Sequence, residues 1–336
     1  MAAANQKIIV VVGATGTQGG SVARTFLNLP NWKVRAITRD PSCPNAQALA
    51  ARGAEVVKAD LTDINSLPAA FQDANAIFLN TEFWSIFGLH MFRLMANGGK
   101  LEEGLIDPSE AAYQSELSRG KNAIQAAAKV PGLERLIYSA LPSATDITGG
   151  KYHSLHWEAK ADIVKYIENE HSELAKKTSF IYLGAYNTNA LLSPQLDPLD
   201  GKYKYVSALS KNIRMPIIDP KESTGPYVRA LIENEQPGIK LLAHDTNSFL
   251  TMQEISDVWT RASGKEASFV GVSVDLMHQK SGVPMEVLRI IPALNEFGYV
   301  GSMKITKPGE LTTKVQTKSY EEWMKGKDWK DILNTN

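Results

Sequence analysis

At 336 residues, with 36 Lys and Arg against 36 Asp and Glu, the chain carries no net charge, so no global field draws it to nucleic acid or to an anionic membrane. Its 43% hydrophobic and 21% charged residues are an ordinary globular balance, enough for one large domain or two closely packed ones. A single cysteine, Cys43, excludes an internal disulfide and suits a reducing compartment. The stretch Met1–Lys7 is short and polar, without the apolar run of a secretory signal, and no segment approaches ~18 consecutive apolar residues. The expected location is the cytoplasm, with the nucleus open.

No repeat of solenoid or propeller period is present. Ile8–Val12 is a continuous β-branched run, the pattern of a strand buried on both faces of a parallel sheet. A helix pattern follows from Gly19 to Leu27. Val34–Thr38 reads as a second strand, Gln47–Arg52 as a short helix and Glu55–Lys58 as a third strand. Leu67–Phe71 is helical and Ala76–Asn80 is a fourth strand. The stretch Thr81–Asp107 then reads as an irregular insertion carrying Phe83, Trp84, Phe87 and Phe92, which either pack a loop core or wall a cleft. Ser109–Lys129 is a long helix, Leu133–Ser139 a fifth strand, His156–Glu168 a helix and Ser179–Leu183 a sixth strand. Beyond Leu183 prolines at 194, 198, 216, 220 and 226 break the rhythm. Strands are expected at Ile213–Ile218 and Lys240–Ala243, with helices at Val228–Glu233, Met252–Ala262 and Met285–Leu294.

The alternation of strand and helix defines an α/β class, a Rossmann-type doubly wound parallel sheet with right-handed crossovers, followed by a smaller C-terminal α+β lobe. Residues 1–184 are expected to form the NAD(P)-binding domain. Residues 185–336 are expected to form the smaller substrate- or partner-binding lobe, with an approximate boundary that strands are free to cross.

Gly13-Ala14-Thr15-Gly16-Thr17-Gln18-Gly19 lies between the first strand and the first helix, the context in which a glycine pattern signifies a dinucleotide site. Gly13 permits the tight exit, Gly16 lets backbone approach a pyrophosphate, and Gly19 lets the helix pack on the sheet. The N–H groups and positive dipole of that helix then face phosphate, with Thr15, Thr17 and Gln18 beside it. The spacing is GxxGxxG rather than GxGxxG. Twenty residues past Gly19, where an acidic residue would take the ribose 2′-hydroxyl, stands Arg39, preceded by Thr38. Its planar donors suit a 2′-phosphate, so NADP(H) is favoured over NAD(H), with Asp40 as the alternative ribose partner. Asp60 and Leu61 follow the third strand, where a carboxylate and an apolar side chain could hold the adenine. Asn80 and Thr81 end the fourth, and Ser139 ends the fifth.

These stretches, with Thr38-Arg39-Asp40-Pro41, Tyr138–Ala144, Gly149-Gly150-Lys151-Tyr152-His153, His156-Trp157-Glu158-Ala159-Lys160 and Tyr182-Leu183-Gly184, resemble the NmrA-like family from about residue 7 to about residue 310. The resemblance implies an atypical short-chain dehydrogenase/reductase relative. Some members are redox-responsive NAD(P) binders that regulate other proteins, including transcription factors, while isoflavone-reductase-like relatives are NADPH-dependent reductases.

Ordinary short-chain dehydrogenases use a tyrosine and a lysine four positions later on one helix. None of the 11 tyrosines here has lysine at that spacing; Tyr152 has His156 there. Lys160 matches the family's lysine and is expected to bind the cofactor ribose or orient a proton relay. His156 lies four residues before it, on the same helical face, as either an acid/base or a packed histidine. Tyr138, Tyr152 and Tyr186 are alternative proton donors. The six histidines lack a metal-ligand spacing, and Ser139 lacks a Gly-x-Ser-x-Gly elbow. Two functions remain: an NADPH-dependent reductase of a small organic carbonyl or enone, or a non-catalytic NAD(P)(H)-responsive regulator. The partner is accordingly a small-molecule substrate or a protein, with no direct nucleic acid and no membrane.

Overall fold

The computed structural model describes residues 6–101, 106–329 and 333. The first half runs β1 (Lys7–Val12), α1 (Thr17–Leu27), β2 (Trp32–Thr38), α2 (Pro44–Ala51), β3 (Glu55–Lys58), α3 (Leu67–Phe71), β4 (Ala76–Leu79) and α4 (Trp84–Ala96). It continues through α5 (Pro108–Ala128), β5 (Arg135–Ala140), α6 (Ala144–Ile147), α7 (Leu155–Glu170), α8 (Ser172–Ala175) and β6 (Thr178–Leu183). After it come β7 (Ala185–Tyr186), β8 (Gln195–Leu196), β9 (Tyr203–Ser207), β10 (Arg214–Ile218), α9 (Pro220–Glu233), β11 (Lys240–Ala243) and β12 (Phe249–Thr251). The chain closes with α10 (Met252–Ser263), β13 (Ala267–Gly271), α11 (Val274–Ser281), α12 (Met285–Leu288), α13 (Ile291–Phe297) and α14 (Tyr320–Lys325).

Seven strands form one parallel sheet in the order β11-β6-β5-β4-β1-β2-β3. The alternation of side chains along β1 explains its unbroken apolar run. Ile9 and Val11 pack on one face against Val22 and Phe26 of α1 and Val228 and Leu231 of α9. Val10 and Val12 pack on the other against Phe71, Ile124 and Ile163 of α3, α5 and α7. Two three-stranded sheets, β12-β10-β7 and β13-β9-β8, build the C-terminal part. That part is not separate from the main sheet, since β11 pairs with β6 from Lys240↔Phe180 to Ala243↔Leu183. Among the described residues no helix is long and apolar enough to cross a membrane.

Two expectations change. The stretch Thr81–Asp107 is largely helical, because α4 buries Phe87 against Ala112 of α5 and Ala159 of α7; residues 102–105 of it lie outside the described residues. The single helix expected over Met285–Leu294 is two, α12 and α13, with Pro292 at the start of the second. A proline there removes an amide donor and favours a new first turn.

Helices α5 and α9 begin on residues that satisfy their free amides. Asp107 accepts from Ser109 and Glu110 at the start of α5, and Asp219 accepts from Lys221 and Glu222 at the start of α9. Asp219 is itself held from outside: its N–H donates to Asp245 Oδ2 at 2.6 Å. Burial pushes the Asp245 carboxyl up to about 6, against the pull of its hydrogen bonds from Ser223 and Asp219, and Oδ1 has no partner among the described residues. A carboxyl whose pKa is raised by folding binds its proton more tightly in the native state. Its stabilising contribution is therefore present below the unfolded value of 3.8 and is lost as pH rises through about 6. Urea unfolding of wild type and Asp245→Asn at pH 4 and pH 7 tests this. The difference between them is expected to move against wild type by on the order of 2–3 kcal/mol over that interval; a pH-independent difference contradicts it.

Candidate functional site

The glycine loop leaves β1 with Gly13 at a φ of 76°, a conformation that L side chains rarely adopt. A Cβ on Gly19 would stand 2.2 Å from Gly13 O, so α1 lies flush on the strand exit only because Gly19 has none. Gly16 caps α1 and supplies no side chain, which leaves the first-turn amides of an 11-residue helix without a side-chain partner. Thr15 and Gly16 open onto a cleft of about 420 Å³, shared with Thr38, Arg39, Asp60, Leu61 and Asn80. The structure thus brings seven of the residues expected at the nucleotide end, with Gly13, around one cleft. Thr17 is exposed outside it, and Gly19 is buried in its support.

The charge in this cleft follows from local bonding. Arg39 is exposed at the end of β2, and its guanidinium makes no hydrogen bond among the described residues. Asp40 is committed elsewhere: one oxygen accepts from Ser42 N at 2.9 Å and Ser42 Oγ at 2.5 Å, which lowers its pKa. Asp60 is partly buried, which alone would raise its pKa. Hydrogen bonds from Thr62 and the Arg39 and Arg119 guanidiniums outweigh that and hold the carboxyl low. Arg119 also lines the cleft, and no local sequence pattern marks it. It lies on the α5 face that also carries Glu116 and Asn122, three residues to either side, and Asn122 donates to Leu61 O at 2.8 Å.

A second chamber of about 570 Å³ adjoins the first, and Asn80, Thr81 and Glu82 line both. Asn80 Oδ1, at this junction, is buried with no partner among the described residues. Aromatic Phe83 and Trp84, and Met215, Ile290 and Leu294 from the C-terminal part, supply apolar wall. The insertion's aromatics therefore divide: Phe83 and Trp84 reach the chamber, Phe87 packs, and Phe92 is exposed. Gln18 faces this chamber rather than the first cleft. It accepts from Ser139 Oγ at 2.7 Å and donates to Tyr186 OH at 2.7 Å. Burial, opposed by that bond, raises the Tyr186 pKa.

Lys160 reaches across the chamber floor to Thr81 O at 2.8 Å and to Glu116 Oε1 at 2.9 Å. Glu116 is fully buried and also accepts from Thr81 Oγ1 at 2.5 Å, so the lysine is locked to the end of β4. One turn earlier on α7, His156 lies with Nδ1 3.0 Å from Glu286 Oε1, which also accepts the His156 backbone N–H at 2.9 Å. Glu286 is buried, which alone would raise its pKa, but the bonds from His156 and the nearby Arg289 bring it below the ordinary range. Neither carboxylate was legible beforehand: Glu286 is 130 residues from its partner, and no local pattern marks it. Of the three alternative tyrosines, only Tyr186 lines the chamber. Tyr138 OH lies 3.2 Å from Thr81 Oγ1, and Tyr152 OH donates to Glu296 outside.

Fold and groove together define a doubly wound α/β protein with a glycine-loop cleft beside an aromatic chamber. The chain belongs to the NmrA-like family, whose model matches residues 5–331. The NmrA-like family domain-containing oxidoreductase hkm9 of Aspergillus hancockii is 28% identical over 281 residues, covering 79% of this chain and 75% of that one. FrzB of a Cladobotryum species, of the same description, is 27% identical over 282 residues, covering 78% and 75%. Among solved structures, NmrA, a negative transcriptional regulator, in complex with NADP superposes with a TM-score of 0.70 at 20% identity, over 97% of this chain and 99% of that one. The NADPH-dependent quinone oxidoreductase QOR2 of Escherichia coli, complexed with NADPH, gives 0.67 at 19%, over 94% and 98%. At these identities the structural likeness is one of fold.

The Glu116–Lys160 pair is a buried ion pair, whose loss of one partner leaves the other charge uncompensated. Glu116→Ala is expected to cost about 3–5 kcal/mol of unfolding free energy. Adding Lys160→Met should recover part of that loss, measured by urea denaturation as a double-mutant cycle. Strictly additive losses would show that the two side chains are not coupled.

Proposed function

We propose that the chain binds a nicotinamide dinucleotide along this groove, NADP(H) in preference to NAD(H), and uses it to reduce a small organic carbonyl or enone. The observation that carries the reading is that the two cavities adjoin and share lining residues. A cleft lined by the residues that lead into an uncapped helix N-terminus shares Asn80 and Thr81 with an apolar chamber that Lys160 also lines. The residues present suit such a cofactor. The first amides of α1 have no side-chain cap and suit a pyrophosphate. Asn80 Oδ1 is a buried acceptor without a donor among the described residues, as a ribose hydroxyl would supply. Arg39 makes no hydrogen bond among the described residues while Asp40 is tied to Ser42, which favours a 2′-phosphate over a bare 2′-hydroxyl.

NADPH, when bound, supplies hydride. The chain's own part is to hold it and exclude water: Lys160, in the chamber lining, would grip the nicotinamide ribose, and the aromatic and C-terminal walls would enclose the substrate. The descriptions of hkm9 and FrzB as oxidoreductases support this reading. A second reading, an NAD(P)(H)-responsive regulator of a protein partner in the cytoplasm or nucleus, draws on the missing Tyr–Lys pair and on the likeness to NmrA.

Titration of wild type and Arg39→Ala with NADP+, NADPH, NAD+ and NADH separates these possibilities. The expected outcome is that the mutant loses about tenfold or more for the phosphorylated pair, equivalent to one charge-assisted contact, and little for the other. Equal affinities in wild type would overturn the NADP(H) preference. A partner protein retained in one cofactor state only, with no substrate-dependent NADPH oxidation, would favour the regulator.

A further inference from the structure

We infer that His156 and Glu286 form the proton-delivering dyad of the chamber, with His156 Nε2 as the donor to substrate and Glu286 as its positioning residue. The inference rests on the reductase reading above and adds to it the source of the proton. A hydride reduction of a carbonyl needs a proton as well, and the usual tyrosine is missing. His156 stands four residues before Lys160 on α7, so both project from one face toward one chamber. It therefore holds the register a tyrosine would hold in the ordinary pair.

The ring is fixed more firmly than packing alone requires. Nδ1 lies 3.0 Å from Glu286 Oε1 and 3.0 Å from Ser154 Oγ, and Glu286 Oε1 also takes the His156 backbone N–H. Phe83 and Trp84 flank the ring, with centroids 6.0 and 5.0 Å away. An ionised carboxylate can only accept, so the hydrogen between the two side chains belongs to Nδ1. Nε2 is left without a hydrogen-bond partner among the described residues, on a side chain that lines the chamber. Glu286, 1% exposed, touches no chamber space; it selects the tautomer and stabilises the imidazolium, as a carboxylate does for a catalytic histidine elsewhere.

The step balances. Hydride adds to the carbonyl carbon, the π pair moves to oxygen, and the Nε2–H bond of the imidazolium breaks as its proton passes to that oxygen. NADPH becomes NADP+, the carbonyl becomes an alcohol, and the neutral ring, still carrying Nδ1–H, regains its proton from solvent. Tyr186 is the competing donor. Its oxygen already accepts from Gln18, and burial raises its pKa, so it is suited to hydrogen-bond a substrate rather than to give up a proton.

The test combines a spectroscopic and a kinetic readout. Long-range 1H–15N spectra of the histidine rings in the protein without cofactor should show His156 as the Nδ1–H tautomer, lost in Glu286→Ala. Single-turnover oxidation of NADPH is then followed with cyclohexenone, benzaldehyde and 9,10-phenanthrenequinone as probes. His156→Gln and the isosteric Glu286→Gln should slow it about 10²-fold or more, with NADPH affinity within twofold of wild type in both. Retained NADPH affinity also verifies that each variant is folded. A wild-type Nε2–H tautomer, or reduction that survives His156→Gln, overturns the dyad alone. Wild type that fails to bind NADPH overturns the reading beneath it; binding without reduction of any probe overturns the reductase and the dyad's role with it.

Discussion

The packing of α1 is the constraint on which the rest of the groove depends. On one side a Cβ at Gly19 would meet Gly13 O at 2.2 Å; on the other, a Cβ at Gly225 of α9 would meet Ser21 O at 2.5 Å. Gly225 N also donates to Ser21 Oγ at 3.0 Å. Backbone therefore touches backbone on both flanks, which places α1 with little freedom. Its N-terminus is thereby aimed across the carboxyl ends of β1, β4 and β5, where open α/β sheets bind ligands. Because α9 belongs to the later half of the chain, the same contact ties the two halves together. The return of β11 to the edge of the sheet does so again.

The chamber is organised by two buried carboxylates that reach α7 from different directions. Glu116 comes from α5 and grips Lys160; Glu286 comes from α12 and grips His156. Each gives one side chain of an i, i+4 pair a single position, so the functional face of α7 is set by elements packed against it rather than by α7 itself. Thr81 links the first of these anchors to the end of β4. The polar floor and the apolar walls then differ in origin: strand ends and helix faces of the first half make the floor, and much of the wall comes from α4, α12, α13 and β10.

Much of this was legible in the sequence because it is written locally. Ile8–Val12 has the unbroken pattern of a doubly buried strand, and Gly13–Gly19 joins it to a helix; Arg39 is found by counting along one βαβ unit. Lys160 and His156 emerge from spacing on one helix. What escaped depends on distance. Glu286 meets His156 across 130 residues, and Arg119 enters the nucleotide cleft from the middle of a long helix. The helix α4 was hidden for another reason: its residues are apolar on most of its surface, with Phe92 and Met95 exposed, so no polar face marks a 3.6-residue period. Residues beyond Leu183 alternate short strands with prolines, and periodicity there cannot reveal that Lys240–Ala243 rejoins the first sheet.

Diffraction from crystals of the protein grown with NADP+ tests the central claim most directly. Pyrophosphate density is expected over the amides of Thr15–Gln18, a 2′-phosphate within hydrogen-bond distance of Arg39, and the nicotinamide ribose against Lys160 and Asn80. Density for the dinucleotide elsewhere, or a groove that stays closed to it at concentrations saturating in solution, would contradict the account.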